Sequence, residues 1–234
     1  MIRCEHKLFP KMYFAFESEK KTFYDYIGFK GLFLHKHAYD VYLQYQETVL
    51  YHDVSTYIRY DKGLRNVLYR NLSALEEYYR SRLINNFDIE RKLTDFKRDI
   101  IKNSELIESN GESSHLYNYS FCKSFDFDKL VSMLNTVNLL NEIEKSELNR
   151  IREFRNKVMH HNLIIISFHV KKNVIENEIK EVEQICELIY KHLPGSMRNA
   201  FEGNINTCNH LTNKSRIPNL NILCVREMKN GIFE

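Results

Sequence analysis

Between residues 61 and 87, in DKGLRNVLYRNLSALEEYYRSRLINNF, the positions Leu64, Leu68, Leu72, Leu75, Tyr79 and Leu83 recur at steps of three and four. That spacing puts them on one side of an α-helix and leaves the polar residues for the other. A strand cannot produce it, because strand side chains change face at every residue. With 7 glycines and 3 prolines in 234 residues, the chain has few hairpin turns or breaks to offer a β-rich alternative. The expected fold class is all-α.

Other segments extend the pattern. Residues 12 to 58 are rich in Tyr, Phe, His and Lys with irregular apolar spacing, and are read as short extra helices at the N-terminal end. Residues 88–102 predict a charged helix, in which Lys97, Arg98 and Lys102 form a solvated face, and the Ser, Asn and Gly of 104–120 predict a loop between halves. Leu130, Met133, Leu134, Val137 and Leu140 mark a second amphipathic helix. A third follows from about Ser146 to His161, with Asn162, tolerant of left-handed geometry, as its stop. NLIIISFHV, 162–170, reads equally as a short buried strand or an extended connector. Ile175, Ile179, Val182, Ile185, Ile189 and Leu193 then mark a helix ended by Pro194 and Gly195, and the tail after Phe201 is polar and weakly patterned. These elements predict one helical domain over 1–234 with its core at about 55–194.

Bulk charge names no partner: 34 basic and 31 acidic residues leave a net +3. The 5 cysteines are odd in number and scattered without a C-x-x-C pair, which points to a reducing cytosol rather than a disulfide framework. The start, MIRCEHKLFPKMYFAF, lacks a continuous apolar run, and no 18 apolar residues stand together, so a soluble cytoplasmic protein without a membrane partner is expected. His35 with His37, or Cys208 with His210 and Cys224, match no regular zinc spacing; neither metal nor cofactor is expected.

The segment REFRNKVMHHN, 152 to 162, is where chemistry concentrates. At about 100° per residue from Leu148, the side chains of Ile151, Phe154, Val158 and Met159 share one arc, and Arg155 falls inside it. A guanidinium aimed at a packed side must meet an acidic partner or line a cleft open to an anionic ligand. Asn156 and His160, spaced i, i+4, stack on the adjoining polar flank. Imidazole moves protons near neutral pH, arginine grips phosphate through two donors and asparagine orients either of them, so Arg155, His160 and Asn156 suit metal-independent phosphodiester chemistry. An Arg followed by a His after four to six residues arises about twice by chance in such a composition. A purely structural account makes the histidine a helix-end residue and pairs Arg155 with a core acid such as Glu76. His161 is either a helix-end residue or a phosphate contact. Glu76, four residues before Arg80, either orients Arg155 or belongs to an ordinary flanking ion pair. Arg65, Arg70, Arg80 and Arg152 are candidate RNA-phosphate contacts.

RNKVMHH resembles the R-x4-6-H signature of HEPN-domain ribonucleases. YDKGLRNVLYRNLSALEEYYRSRL resembles the matching helix of the Abi-like abortive-infection proteins, the AbiD/AbiF group, with Asp61, Leu64, Arg65, Glu76 and Arg80 in the patterned places. The likeness covers residues 55 to 87 and 128 to 194. It implies a HEPN-like helical bundle and an endoribonuclease of phage defence (abortive infection) or a toxin–antitoxin system. It further implies 2′,3′-cyclic phosphate and 5′-hydroxyl ends, a site completed in a homodimer, and restraint by an antitoxin protein or a small RNA. Two rivals remain: a noncatalytic RNA-binding or antitoxin-like helical module, and a helical protein-interaction domain with no RNA role.

Overall fold

The computed structural model describes residues 1–30, 32–86, 122–159, 163–164, 172–211 and 223–234. In order these form β1 (Ile2–Arg3), β2 (Met12–Phe14), α1 (Glu17–Lys30), α2 (Leu32–Tyr42), β3 (Val49–Leu50), α3 (Tyr51–Asn86), α4 (Phe127–Thr136), α5 (Glu142–Met159), α6 (Lys172–His192), α7 (Gly195–Leu211), β4 (Met228–Lys229) and β5 (Ile232–Phe233). The protein is mostly helical, as its periodicity predicts, with short strands added at both ends. The charged helix expected at 88–102, the loop at 104–120, the stop at Asn162 and most of NLIIISFHV lie outside the described residues. Among those described, no helix is long and apolar enough to cross a membrane.

The chain divides into two compact units. Unit 1 joins Met1–Asn71 to Arg155–Glu234, and unit 2 is Leu72–Phe154. The predicted stripe of α3 is buried throughout, but the helix starts ten residues earlier than the stripe suggests, because Val54, Tyr57, Tyr60 and the buried Asp61 continue it toward Tyr51.

In unit 1 the irregular aromatic spacing before residue 58 has a physical cause. β2 pairs antiparallel with β1 and parallel with β3. Around this small sheet Phe9 meets Phe23 and Tyr39 edge-on, each at 5.2 Å, and Phe23 meets Tyr51 at 5.4 Å. Aromatic rings gathered edge to face need no helical repeat. The Tyr39 hydroxyl accepts the Lys11 N–H at 3.0 Å, so its polar end is satisfied inside the fold.

The C-terminal part corrects the expectation of a polar, unpatterned tail. α7 buries Phe201, Ile205 and Cys208, and the residues beyond bury Leu223, Val225, Met228 and Phe233. β4 and β5 form a hairpin with Met228 opposite Phe233. Its two-residue turn, Asn230 and Gly231, takes φ of 52° and 82°, the twist that a tight hairpin needs. Side chains of the helices receive the hairpin's backbone: Asn206 accepts the Met228 N–H at 2.9 Å and donates to its carbonyl at 2.8 Å, Glu202 accepts from Gly231 at 3.1 Å and Glu187 from Phe233 at 3.1 Å. A Cβ at residue 231 would overlap the Tyr190 ring. Gly231→Ala is therefore expected to lose about 1–3 kcal/mol from left-handed strain alone, with the clash added, measured as a lowered urea midpoint.

In unit 2, α4 starts at Asp126, whose carboxylate accepts the Lys129 N–H at 2.8 Å. It ends through Asn138, at φ 58°, with Leu139 N–H returning to the Leu134 carbonyl at 2.9 Å. α5 begins four residues before the expected Ser146. Asn141 and Glu144 exchange hydrogen bonds, Glu144 N–H to Asn141 Oδ1 at 2.8 Å and Asn141 N–H to Glu144 Oε2 at 3.0 Å, a reciprocal cap. Arg82 adds a bond to the same Glu144 at 3.2 Å and another to the Leu139 carbonyl at 2.8 Å.

Candidate active site

The arc predicted on α5 exists: Leu148, Ile151, Phe154 and Val158 are all buried. Arg155 is partly buried beside them, and Asn156 is exposed. Both fall in unit 1, at the last described turn of the helix. His160 and His161 lie outside the described residues, between Met159 and Leu163.

What the chain does on either side of the histidines is defined. Before them it is the end of α5. After them, Ile164 is fully buried and its N–H donates to Asp61 Oδ1 at 2.8 Å. Asp61 itself is wholly buried on α3, and Arg65, one turn on, faces its other oxygen at 3.9 Å. A carboxylate withdrawn from water is tolerated only with donors and a counter-charge. Here a backbone N–H and a guanidinium supply both. The bond joins positions 103 residues apart and ties the segment leaving the motif to the helix that carries the Asp-Leu-Arg pattern. The periodicity analysis did not single out Asp61, although the signal was there: it breaks an apolar stripe in the way Arg155 does.

The expected RNA contacts separate into different environments. Arg70 is exposed and open to a ligand. Arg65 is turned toward Asp61 and its side chain is 16% exposed, so it holds that carboxylate in place. In unit 2, Arg152 faces Asp128 at 3.5 Å with a third of its side chain in solvent.

Arg80 requires a correction. It is only 6% exposed, and its guanidinium donates to the carbonyls of Cys122 (3.2 Å) and Phe125 (2.9 Å), to Glu76 (3.0 Å) and to Glu77. Four donations inside the fold leave this fork structural, an anchor for the chain entering α4 rather than a phosphate contact. Glu76 is thus one end of the i, i+4 pair that the sequence suggests. Burial pushes the neighbouring Cys122 thiol up to about 11 against the pull of Arg80, which keeps it neutral and unreactive.

Among the described residues no three His, Cys, Asp or Glu side chains gather closely enough to hold a metal ion. Cys208 and Cys224 are separate buried free thiols, and His35 and His37 are buried within α2. A cationic Arg155 next to an exposed amide, on a helix end followed by a fixed return to α3, is suited to gripping an anion from one side. No protein-family model, no curated protein and no solved structure matches this chain.

Proposed function

We propose that the protein is a metal-independent endoribonuclease of HEPN type, resembling the Abi-like abortive-infection proteins, and that it works in phage defence or as the toxin of a toxin–antitoxin system. The observation that carries this is the Asp61–Ile164 hydrogen bond: the two separated segments on which the resemblance rests are joined in unit 1, one supplying the carboxylate and the other the backbone just past the histidines. In the proposed reaction a ribose 2′-oxygen attacks the adjacent phosphorus, the 2′-O–P bond forms and the P–O5′ bond breaks. One imidazole takes the 2′-hydroxyl proton and another protonates the departing 5′-oxygen. Arg155 holds the non-bridging oxygens and stabilises the charge that builds on them, and Asn156 orients phosphate or imidazole. His160 supplies one proton-transfer group, and His160 of a second copy supplies the other across a two-fold axis, which makes the working form a homodimer. Arg70 and Arg152 extend the grip on the RNA backbone, and His161 adds a phosphate contact. An antitoxin protein or a small RNA restrains the activity in the cell.

Purified protein and end-labelled structured RNA test this directly. Cleavage should persist in excess EDTA and leave 2′,3′-cyclic phosphate and 5′-hydroxyl ends. Products with 5′-phosphates, or activity that EDTA abolishes, would reject the mechanism in favour of metal-activated water. Binding of RNA without cleavage would select the noncatalytic module instead.

A further inference from the structure

Within the Met1–Asn71 part of unit 1, a pocket of about 380 Å³ opens between α1, α2 and the first turns of α3. That is near the lower end of ligand cavities, about 300–1,000 Å³, and holds one small ring-bearing molecule. One wall is aromatic. His35 and Tyr51 stack with centroids 6.1 Å and planes 17° apart, and Tyr26, 46% exposed, lies 6.3 Å from His35. Burial lifts the Tyr51 phenol to about 12, so that ring carries no phenolate at neutral pH.

Another side is cationic. His52, Ser55, Arg59 and Lys62 follow at steps of three and four along α3 and line the pocket together. Arg59 donates to neutral acceptors, the Ser55 carbonyl at 3.3 Å and Thr56 Oγ1 at 3.2 Å. Neither Arg59 nor Lys62 has a carboxylate partner among the described residues. Among the described residues the lining holds one acid, Glu19, which is already engaged: one oxygen accepts the Ala15 N–H at 2.8 Å and the other faces His52 at 3.9 Å. The hydroxyls of Thr22 and Ser55 give their protons to the carbonyls of Ser18 (2.8 Å) and His52 (3.1 Å), which leaves their oxygens as acceptors. A complementary ligand presents a flat ring, an anion and hydrogen-bond donors.

We propose that this pocket binds a single nucleotide, its base against the aromatic wall, its ribose hydroxyls or exocyclic amine on the Thr22 and Ser55 oxygens, and its phosphate on Arg59 and Lys62. The proposal is independent of the RNA-cleavage reading, since it uses none of the candidate active-site residues. The nucleotide comes either free or as the phosphate-bearing end of an RNA chain.

Calorimetric titration of the full chain with the four nucleoside 5′-monophosphates decides it. At least one should bind saturably below about 1 mM, and at least tenfold more tightly than its nucleoside or inorganic phosphate. The double variant Arg59→Glu/Lys62→Glu should weaken it more than tenfold, and the milder Arg59→Gln/Lys62→Gln pair gives the same reading should the charge reversal fail to fold. Lys229→Glu, outside the pocket, should leave it unchanged. A short oligonucleotide bearing a terminal phosphate that binds more tightly than the mononucleotide, and does so only when phosphorylated, assigns the RNA end; equal or weaker binding assigns the free nucleotide. No saturable binding, a nucleoside that binds as tightly as its phosphate, or equal loss in Lys229→Glu overturns the proposal.

Discussion

Arg80→Ala is expected to lower the stability of unit 2 by about 3–5 kcal/mol, the range for breaking a buried charge network from one side. The truncation strips hydrogen bonds from the carbonyls of Cys122 and Phe125 and leaves Glu76, 17% exposed, without its guanidinium. A buried acceptor left unmet accounts for about 1–3 kcal/mol of that loss on its own. Arg80→Lys should recover less than half, because an ammonium lacks the planar fork that reaches carbonyls and carboxylates together. Arg70→Ala, at an exposed site on the same helix, should stay within about 0.5 kcal/mol. Urea unfolding followed by circular dichroism measures all three. A loss at Arg80 no larger than that at Arg70 would strip the residue of its anchoring role.

For the proposed chemistry, His160→Ala and Arg155→Ala carry the largest effects. Removing a proton-transfer group is expected to slow RNA cleavage about 10²–10⁴-fold, and removing the phosphate clamp about 10²–10³-fold. His160→Ala is the sharper probe, since Arg155 lies partly buried beside Phe154 and Val158 and its loss also disturbs packing. Helical content should be retained in both. If each cleft draws one imidazole from each copy, dimers mixed from one wild-type and one His160→Ala chain should be strongly impaired rather than halved, and activity should fall as dilution separates the copies. A folded His160→Ala protein that cleaves at the wild-type rate removes the histidine from the mechanism. A strictly monomeric protein that cleaves fully removes the shared cleft and passes the second proton transfer to His161 or another local group.

Helices whose burial follows simple spacing were legible in the residues: the leucines of α3 and the isoleucines of α6 are buried where periodicity puts them. Boundaries were missed where side chains outside that vocabulary take over. Tyr57 and Tyr60 continue the α3 stripe without looking like leucines, and Asn141 with Glu144 starts α5 through a cap rather than an apolar residue. The closing hairpin was a misreading of local chemistry, because Asn230-Gly231 between Met228-Lys229 and Ile232-Phe233 is itself a turn signal. At the candidate site, Arg155 announced itself by interrupting an apolar arc. The hold of Asp61 on Ile164 could not be read, since its donor is a backbone N–H, which every residue but proline possesses, 103 positions away. Arg80 was misassigned for the same reason: the sequence displays its pairing with Glu76, whereas the carbonyls that bury it belong to residues of no particular type.

The hairpin that closes unit 1 also sets an order in time. A ribosome releases the aromatic core around Phe9 and Phe23 first, then the whole of unit 2, and only afterwards α6, α7 and the strands that Asn206, Glu202 and Glu187 clasp. At about 5–20 residues per second, the early part of unit 1 waits on the order of ten seconds for its other half. Unit 2, a continuous stretch, can close during that interval. A polypeptide broken off before Phe233 lacks the Phe233 backbone N–H that Glu187 accepts, so the clasp of α6 and α7 on the closing strands is complete only once translation has passed the hairpin.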